Sequence, residues 1–231
     1  MSRTTNARIA GFTFLFYIAV AITNMVLSSQ ATSGATIAAK LVSVAQHAFQ
    51  LRLTILFGLF ETLCAIVLAV TLFSITRDEE PHLALLALIF RTGEGLIGTM
   101  AFRTPLELLW LAAPGTTAQL SPAAVEALGT QIFQAPHGNL DAIFFAFGST
   151  LFSYLLLRGR MIPMPLAWLG VAASLLLVIV LPLQLAGLLH GSITSFVWIP
   201  MLAYEGPLGF WLMIKGVPAQ SSRQVRSAVK A

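Results

Sequence analysis

Charge is what this sequence has least of. Its 231 residues hold 13 Lys and Arg and 9 Asp and Glu, 10% of the chain, where soluble domains carry about 25%. With a mean hydropathy of +0.86, that scarcity excludes an ordinary soluble domain. Cysteine is nearly missing. Cys64 stands alone, which excludes an intrachain disulfide framework and any Cys-x-x-Cys metal or redox motif. It lies mid-way along an apolar run and reads as a small buried apolar side chain. The chain also lacks a P-loop, a His-Glu-x-x-His pair and a serine-hydrolase elbow, so none of those signatures supplies a reaction.

What is present is long apolar sequence. Six runs are long enough to cross a bilayer, which takes about 20 residues at about 1.5 Å each. They cover 9–28, 52–75, 83–104, 141–158, 165–189 and 193–214. The first follows Arg3 and Arg8, as a signal peptide would. It exceeds the about 7–15 residues of an h-region and reads as an uncleaved span. The expected fold is therefore all-α: one transmembrane domain of six helices over residues 1–215, then a short basic cytoplasmic tail over 216–231. "TRDEEPH" (76–82), "RGRMIPMP" (158–165) and "HGS" (190–192) supply the short turns. In the longer connector 105–140, "SPAAVEALGTQIFQ" (121–134) predicts a short surface helix, with Ser121 as cap and Pro122 in the first turn. "TIAAKLVSVAQHAF" (36–49) puts Ile37, Leu41, Val44 and Ala48 on one face. It is either a second surface helix or an early extension of the second span.

The basic residues set the orientation. Arg3, Arg8, Arg77, Arg158, Arg160, Lys215, Arg223, Arg226 and Lys230 fall on one side of the six runs, and the opposite loops hold only Lys40. Both termini are then expected inside and both long connectors outside. The same placement explains the net charge of +4 without a nucleic-acid partner. The lipid bilayer is the expected partner, with anionic headgroups near the basic ends.

Against this background "LIFRTGEGLIG" (88–98) is unusual. Arg91 and Glu94 lie about 12 and 17 Å into the third span and share a helix face. Glu61, about 14 Å below Arg52, and Glu205, about 18 Å into the sixth span, reach a similar depth. A charge at the bilayer centre costs at least about 2.5–3.5 kcal/mol. These groups are therefore expected to face inward and to one another. One arginine cannot neutralise three carboxylates, so one or two of Glu61, Glu94 and Glu205 are expected to hold a proton. A single Arg–Glu pair can simply lock helix register; the surplus of acids favours a binding role. Gly93, Gly95 and Gly98 form a formal GxGxxG, but no strand precedes them, so they read as packing glycines. Gly206 and Pro207 beside Glu205 should weaken the sixth helix locally. Ser149, Ser153 and Tyr154 either face the polar group or bond across helices; the second is expected.

A second polar group maps to the outer face: Arg52, Arg103, Glu107, His137, Asp141 and His190, with His47 nearby. His137, Asp141 and His190 are of the types that ligate zinc or iron, though without a recognised spacing. A divalent metal there is one reading; wetted loop and cap residues are the other, and no cofactor is otherwise expected. No histidine lies near the midplane, which disfavours a bis-histidine haem.

Four stretches together resemble a known family: "ARIAGFTFLFYIAVAI", "LALLALIFRTGEG", "LLRGRMIPMPLAWLG" and "LGFWLMIKG". They are similar to the bacterial six-helix membrane proteins called domain of unknown function forty-three eighty-six. The resemblance spans nearly the whole chain and is sharpest at the Arg91–Glu94 spacing and the turn from Arg160 to Pro163. It implies a helical membrane bundle in a bacterial cytoplasmic membrane, and no reaction, substrate or cofactor. Three functions remain open: ion or small-molecule binding of transporter or sensor type at Glu61, Arg91, Glu94 and Glu205; a membrane enzyme acting on a lipid or small apolar substrate through the outer His/Asp group; or a structural or assembly subunit.

Overall fold

The computed structural model describes residues 2–134, 140–189 and 196–218. Every regular element among them is helical: α1 (Arg3–Ala31), α2 (Ile37–Gln46), α3 (Ala48–Thr76), α4 (Pro81–Gly98), a 3₁₀ turn (Thr99–Phe102), α5 (Arg103–Leu111), α6 (Pro114–Gln119), α7 (Pro122–Gln134), α8 (Leu140–Arg158), α9 (Met164–Leu185) and α10 (Ile199–Ile214). Among the described residues five helical stretches are long and apolar enough to cross a membrane: Arg3–Ala31, Ala48–Thr76, Pro81–Leu111, Leu140–Arg158 and Met164–Leu185. The chain is a multi-pass membrane protein. α10 is also apolar but has 16 described residues. The long helices carry hydrocarbon side chains around most of their circumference, as membrane solvent permits.

The chain divides into two compact units, Met1–Ile18 with Leu63–Gly95 and Asn139–Ala231, and Ala19–Thr62 with Leu96–Gly138. The boundaries at 18, 62 and 95 fall inside α1, α3 and α4.

In the first unit small residues let helices approach closely. A methyl added at Gly11 of α1 would strike the α10 backbone at Met213 N and Gly209 O. One added at Gly170 of α9 would enter the Tyr204 ring. This is the close backbone approach by which membrane helices gain van der Waals contact. Arg3 Nε donates to Ile75 O at 3.0 Å, at the carbonyl end of α3, and Arg3 Nη2 lies 3.6 Å from Glu79. Arg158 Nη1 lies 3.7 Å from Glu80. A methyl on Gly216 would sit 3.2 Å from Thr4 Cγ2. These contacts gather the start of α1, the 76–82 loop and the ends of α8 and α10 at one end of this unit. Val217, at the start of the expected tail, is buried in the core with Leu212 and Ala7.

The second unit has its own small core of Ala31, Leu41, Val44, Leu51, Leu108 and Leu111. Thr36 caps α2 by accepting from Ala39 N at 3.1 Å, and His47 ends it, so α2 is separate from α3. Gly129 of α7 packs on Ile37 and Leu41. Ser121 caps α7, its Oγ accepting from Ala124 N at 3.3 Å. The helix expected at 121–134 is present, and it packs on α2 rather than standing alone.

Candidate functional site

Arg91 and Glu94 lie one turn apart on α4, 1% and 6% exposed. Their apolar neighbours on the same helix face, Ala84 and Ala87, are fully buried. The charged pair thus occupies the helix's inward stripe. Arg91 Nη1 is 2.7 Å from Glu94 Oε2. That distance is an ion pair, but the hydrogen is not aimed along it. Nε, Nη1 and Nη2 of Arg91 and Oε2 of Glu94 are all buried with no hydrogen bond among the described residues. A guanidinium has five N–H donors, so this one holds unused capacity in a place where unmet donors are costly.

The walls explain the position. The Arg91 guanidinium sits 4.7 Å from the centre of the Phe145 ring, where the negative face of the ring attracts it. The stem of Arg91 passes over Gly148, at which a methyl would stand 2.6 Å from Cγ and 2.9 Å from Cδ. Tyr17 of α1 hydrogen-bonds to the Glu94 carboxyl. Glu205 of α10 is 7% exposed and interacts by charge with Arg91 and with Glu94. Beside it Tyr204 is buried, and its hydroxyl accepts from Ser153 Oγ at 3.1 Å. Arg91, Ser149, Ser153, Tyr204 and Glu205 share the lining of a cavity of about 10 Å³. One water needs about 10–15 Å³, so this space is water-sized.

The candidates named from sequence divide between the two units. Arg91, Glu94 and Glu205 come together in the first unit. Glu61 belongs to the second unit, where Asn24 Nδ2 donates to its Oε1 at 2.8 Å. Ser153 does bond across helices, Ser149 lines the cavity, and Tyr154 is 40% exposed. Gly93 makes room for the Phe144 ring of α8, a packing role within a helix that no strand precedes. Gly98 meets nothing within 4 Å.

In the outer group Arg103 Nε lies 2.5 Å from Glu107 Oε1, one helical turn away and exposed. His47 Nδ1 lies 3.0 Å from Ser43 O, where the ring ends α2. Asp141 stands in the first turn of α8, where a carboxylate suits the helix dipole. Its charge also acts on Glu94. His137 and His190 lie outside the described residues. Among the described residues no three His, Cys, Asp or Glu side chains group as metal ligands.

Sequence reasoning missed Tyr17, Phe145, Gly148 and Tyr204. It also missed an open cavity of about 330 Å³ in the second unit, lined by Asn24 and Ser28 of α1 and by Thr32 in the turn after it. Their spacing of four residues, polar in an apolar run, is the signal that could have found it.

An all-helical, multi-pass membrane protein with a buried Arg–Glu centre is the class these features define. The chain belongs to the family described as Domain of unknown function (DUF4386), whose family model matches residues 9–216. No curated protein and no solved structure matches it.

Proposed function

We propose that this is a transporter- or sensor-type membrane protein whose buried Arg91–Glu94–Glu205 group takes up a proton. The observation that carries the reading is the mismatch of charge among buried groups. Two carboxylates face one guanidinium, and that guanidinium makes no hydrogen bond among the described residues. A pure lock between helices is best served by an aimed, fully bonded pair, and additional buried acid works against it. One proton on the acids restores neutrality. The water-sized cavity sets the scale of what fits: a proton with a bridging water, not an organic ion. Glu61, with its separate partner Asn24, stands as a further acid outside this group.

The topology we propose with it has six spans, α10 serving as the last, both termini inside a bacterial cytoplasmic membrane, and α2 and α7 at the outer surface. The distribution of basic residues supports it.

Infrared difference spectroscopy across a pH step, on protein in phosphatidylcholine nanodiscs, tests the function. The wild type should show a carboxyl C=O change that Glu94→Gln or Glu205→Gln diminishes and Arg91→Ala displaces, with helix content kept. The same change produced by sodium at constant pH would transfer the role to a metal cation. A wild type with no carboxyl change at any pH would leave the charges as a structural lock and sink the proposal.

A further inference from the structure

The second unit holds the larger space, and its chemistry differs. The cavity of about 330 Å³ is lined by Asn24, Ser28, Thr32, Thr54 and Thr104, with hydrocarbon such as Leu108 over the rest, and among the described residues none of its lining is ionisable. Small-molecule sites run from about 300 to 1,000 Å³ and pair an apolar wall with a few placed polar groups. This one sits at the small end. An ionised ligand would meet no counter-charge on that lining.

The hydrogen bonds already made set the polarity of this lining. Thr32 Oγ1 donates to Ser28 O at 2.7 Å, and Thr54 Oγ1 to Leu51 O at 2.7 Å. Their oxygens are left as acceptors. Asn24 Nδ2 donates to Glu61. A carboxylate only accepts, so it fixes the amide this way round and leaves Oδ1 as an acceptor too. The lining therefore offers mainly acceptors, from the end of α1, the turn after it and α3, facing hydrocarbon. Its complement is a molecule that donates.

We infer that this cavity binds one uncharged amphiphile, an alcohol, through its hydroxyl group. The hydroxyl donates its single proton to one of these acceptors, Asn24 Oδ1 or the oxygen of Thr32 or Thr54, and the Ser28 hydroxyl completes the contact at the alcohol oxygen. The alkyl chain lies against Leu108. The inference rests on the second unit alone and stands or falls apart from the charge group. The alcohol has two sources, a neutral membrane lipid with a free hydroxyl or a free small molecule.

The test uses the full chain in phosphatidylcholine nanodiscs with three diazirine-tagged probes that share an eight-carbon chain: octan-1-ol, octyl methyl ether and octanoate. Labelled peptides are mapped by mass spectrometry. The octanol probe should label segments around Ser28 and Leu108, saturably and in competition with untagged octan-1-ol. The ether and the carboxylate should label there about tenfold less, the scale of one lost hydrogen bond. Ser28→Ala with Thr54→Val, which removes two of the polar contacts without adding bulk, should move octanol labelling toward the ether's level. If that variant does not fold, the wild-type contrast between alcohol and ether decides alone. Native mass spectrometry before probe addition then assigns the source. A co-purifying neutral lipid that octanol displaces supports the inference with lipid as occupant; a bare chain that takes octanol supports it with a free alcohol. Equal labelling by alcohol and ether, or by alcohol and octanoate, overturns it.

Discussion

Arg91 and Ser28 are both polar side chains on membrane-crossing helices, but their surroundings differ in kind. Around Arg91 the first unit is full. Phe145, Gly148, Glu94 and Tyr204 close on one another and leave about 10 Å³. Around Ser28 the second unit is open, with about 330 Å³ beside uncharged groups. The difference follows from the cost of burying each kind of group. A charge away from water must have its compensation built in, so packing cannot be loose. Hydroxyls on a helix can bond to their own backbone, as Thr32 and Thr54 do, and need no partner across a gap. Charge demands a tightly packed site; neutral polarity permits a roomy one.

The largest expected effect breaks the comparison at its centre. Arg91→Ala strands Glu94 and Glu205 and opens space above Gly148. Removing one partner of a buried pair costs about 3–5 kcal/mol. Ser28→Ala, in the open site, should stay within about 0.5 kcal/mol, as ordinary substitutions away from packed features do. Thermal unfolding in one detergent would measure both. Equal losses would mean that the two sites are not distinct in packing.

Glycine to alanine sharpens the contrast, because the same methyl enters two kinds of space. At Gly148 it would stand 2.6 Å from Arg91 Cγ and 3.2 Å from Arg91 N. Overpacking of that sort costs about 1–3 kcal/mol. At Gly98, in the second unit, it meets nothing within 4 Å, and the backbone there is helical at φ −55. Alanine should stabilise that position by about 0.5–1 kcal/mol, through helix propensity alone. Opposite shifts in Tm are the expected reading; shifts of the same sign would deny that the first unit is the tighter.

How far these features were legible depends on what fixes them. The apolar runs mark the long helices because a bilayer demands length and hydrocarbon, which any window reveals. Arg91–Glu94 is legible from spacing, and Glu205 from counting depth. The helices α5 and α6 were not: in the connector 105–140 only 121–134 was read as helical, and α5 and α6 hold Pro105 and Pro114 near their starts. Both lie in a first turn, where a missing N–H removes little. Tyr17, Phe145 and Gly148 escaped for another reason. They lie on α1 and α8, which are apolar nearly all round. No amphipathic face then reports which way each helix is turned. The capped α2 was legible as a separate helix only once Thr36 and His47 were seen as its ends.

The smallest effect asks whether the closeness of the first unit extends to its turns. α8 and α9 end in the same motif. Arg160 N donates to Leu157 O at 3.0 Å and Met161 N to Leu156 O at 3.0 Å. At the end of α9, Gly187 N donates to Gln184 O at 2.9 Å and Leu188 N to Leu183 O at 2.9 Å. Both are Schellman caps, and both place the residue after the cap in the left-handed region, Arg160 at φ 46 and Gly187 at φ 69. Glycine adopts that conformation freely, whereas a residue with a Cβ is disfavoured there by about 1–2 kcal/mol. The two residues after Arg160 hold it in place: Met161 and Ile162 are buried in the core, 3% and 5% exposed. Arg160→Gly should therefore stabilise by up to about 1 kcal/mol, less the entropy that glycine adds to the unfolded chain. The Arg160 side chain is exposed, so the gain should appear without loss of packing. A fall in Tm instead would mean that the guanidinium contributes at the membrane face more than its backbone costs, and would place the anionic headgroups at that end of the unit.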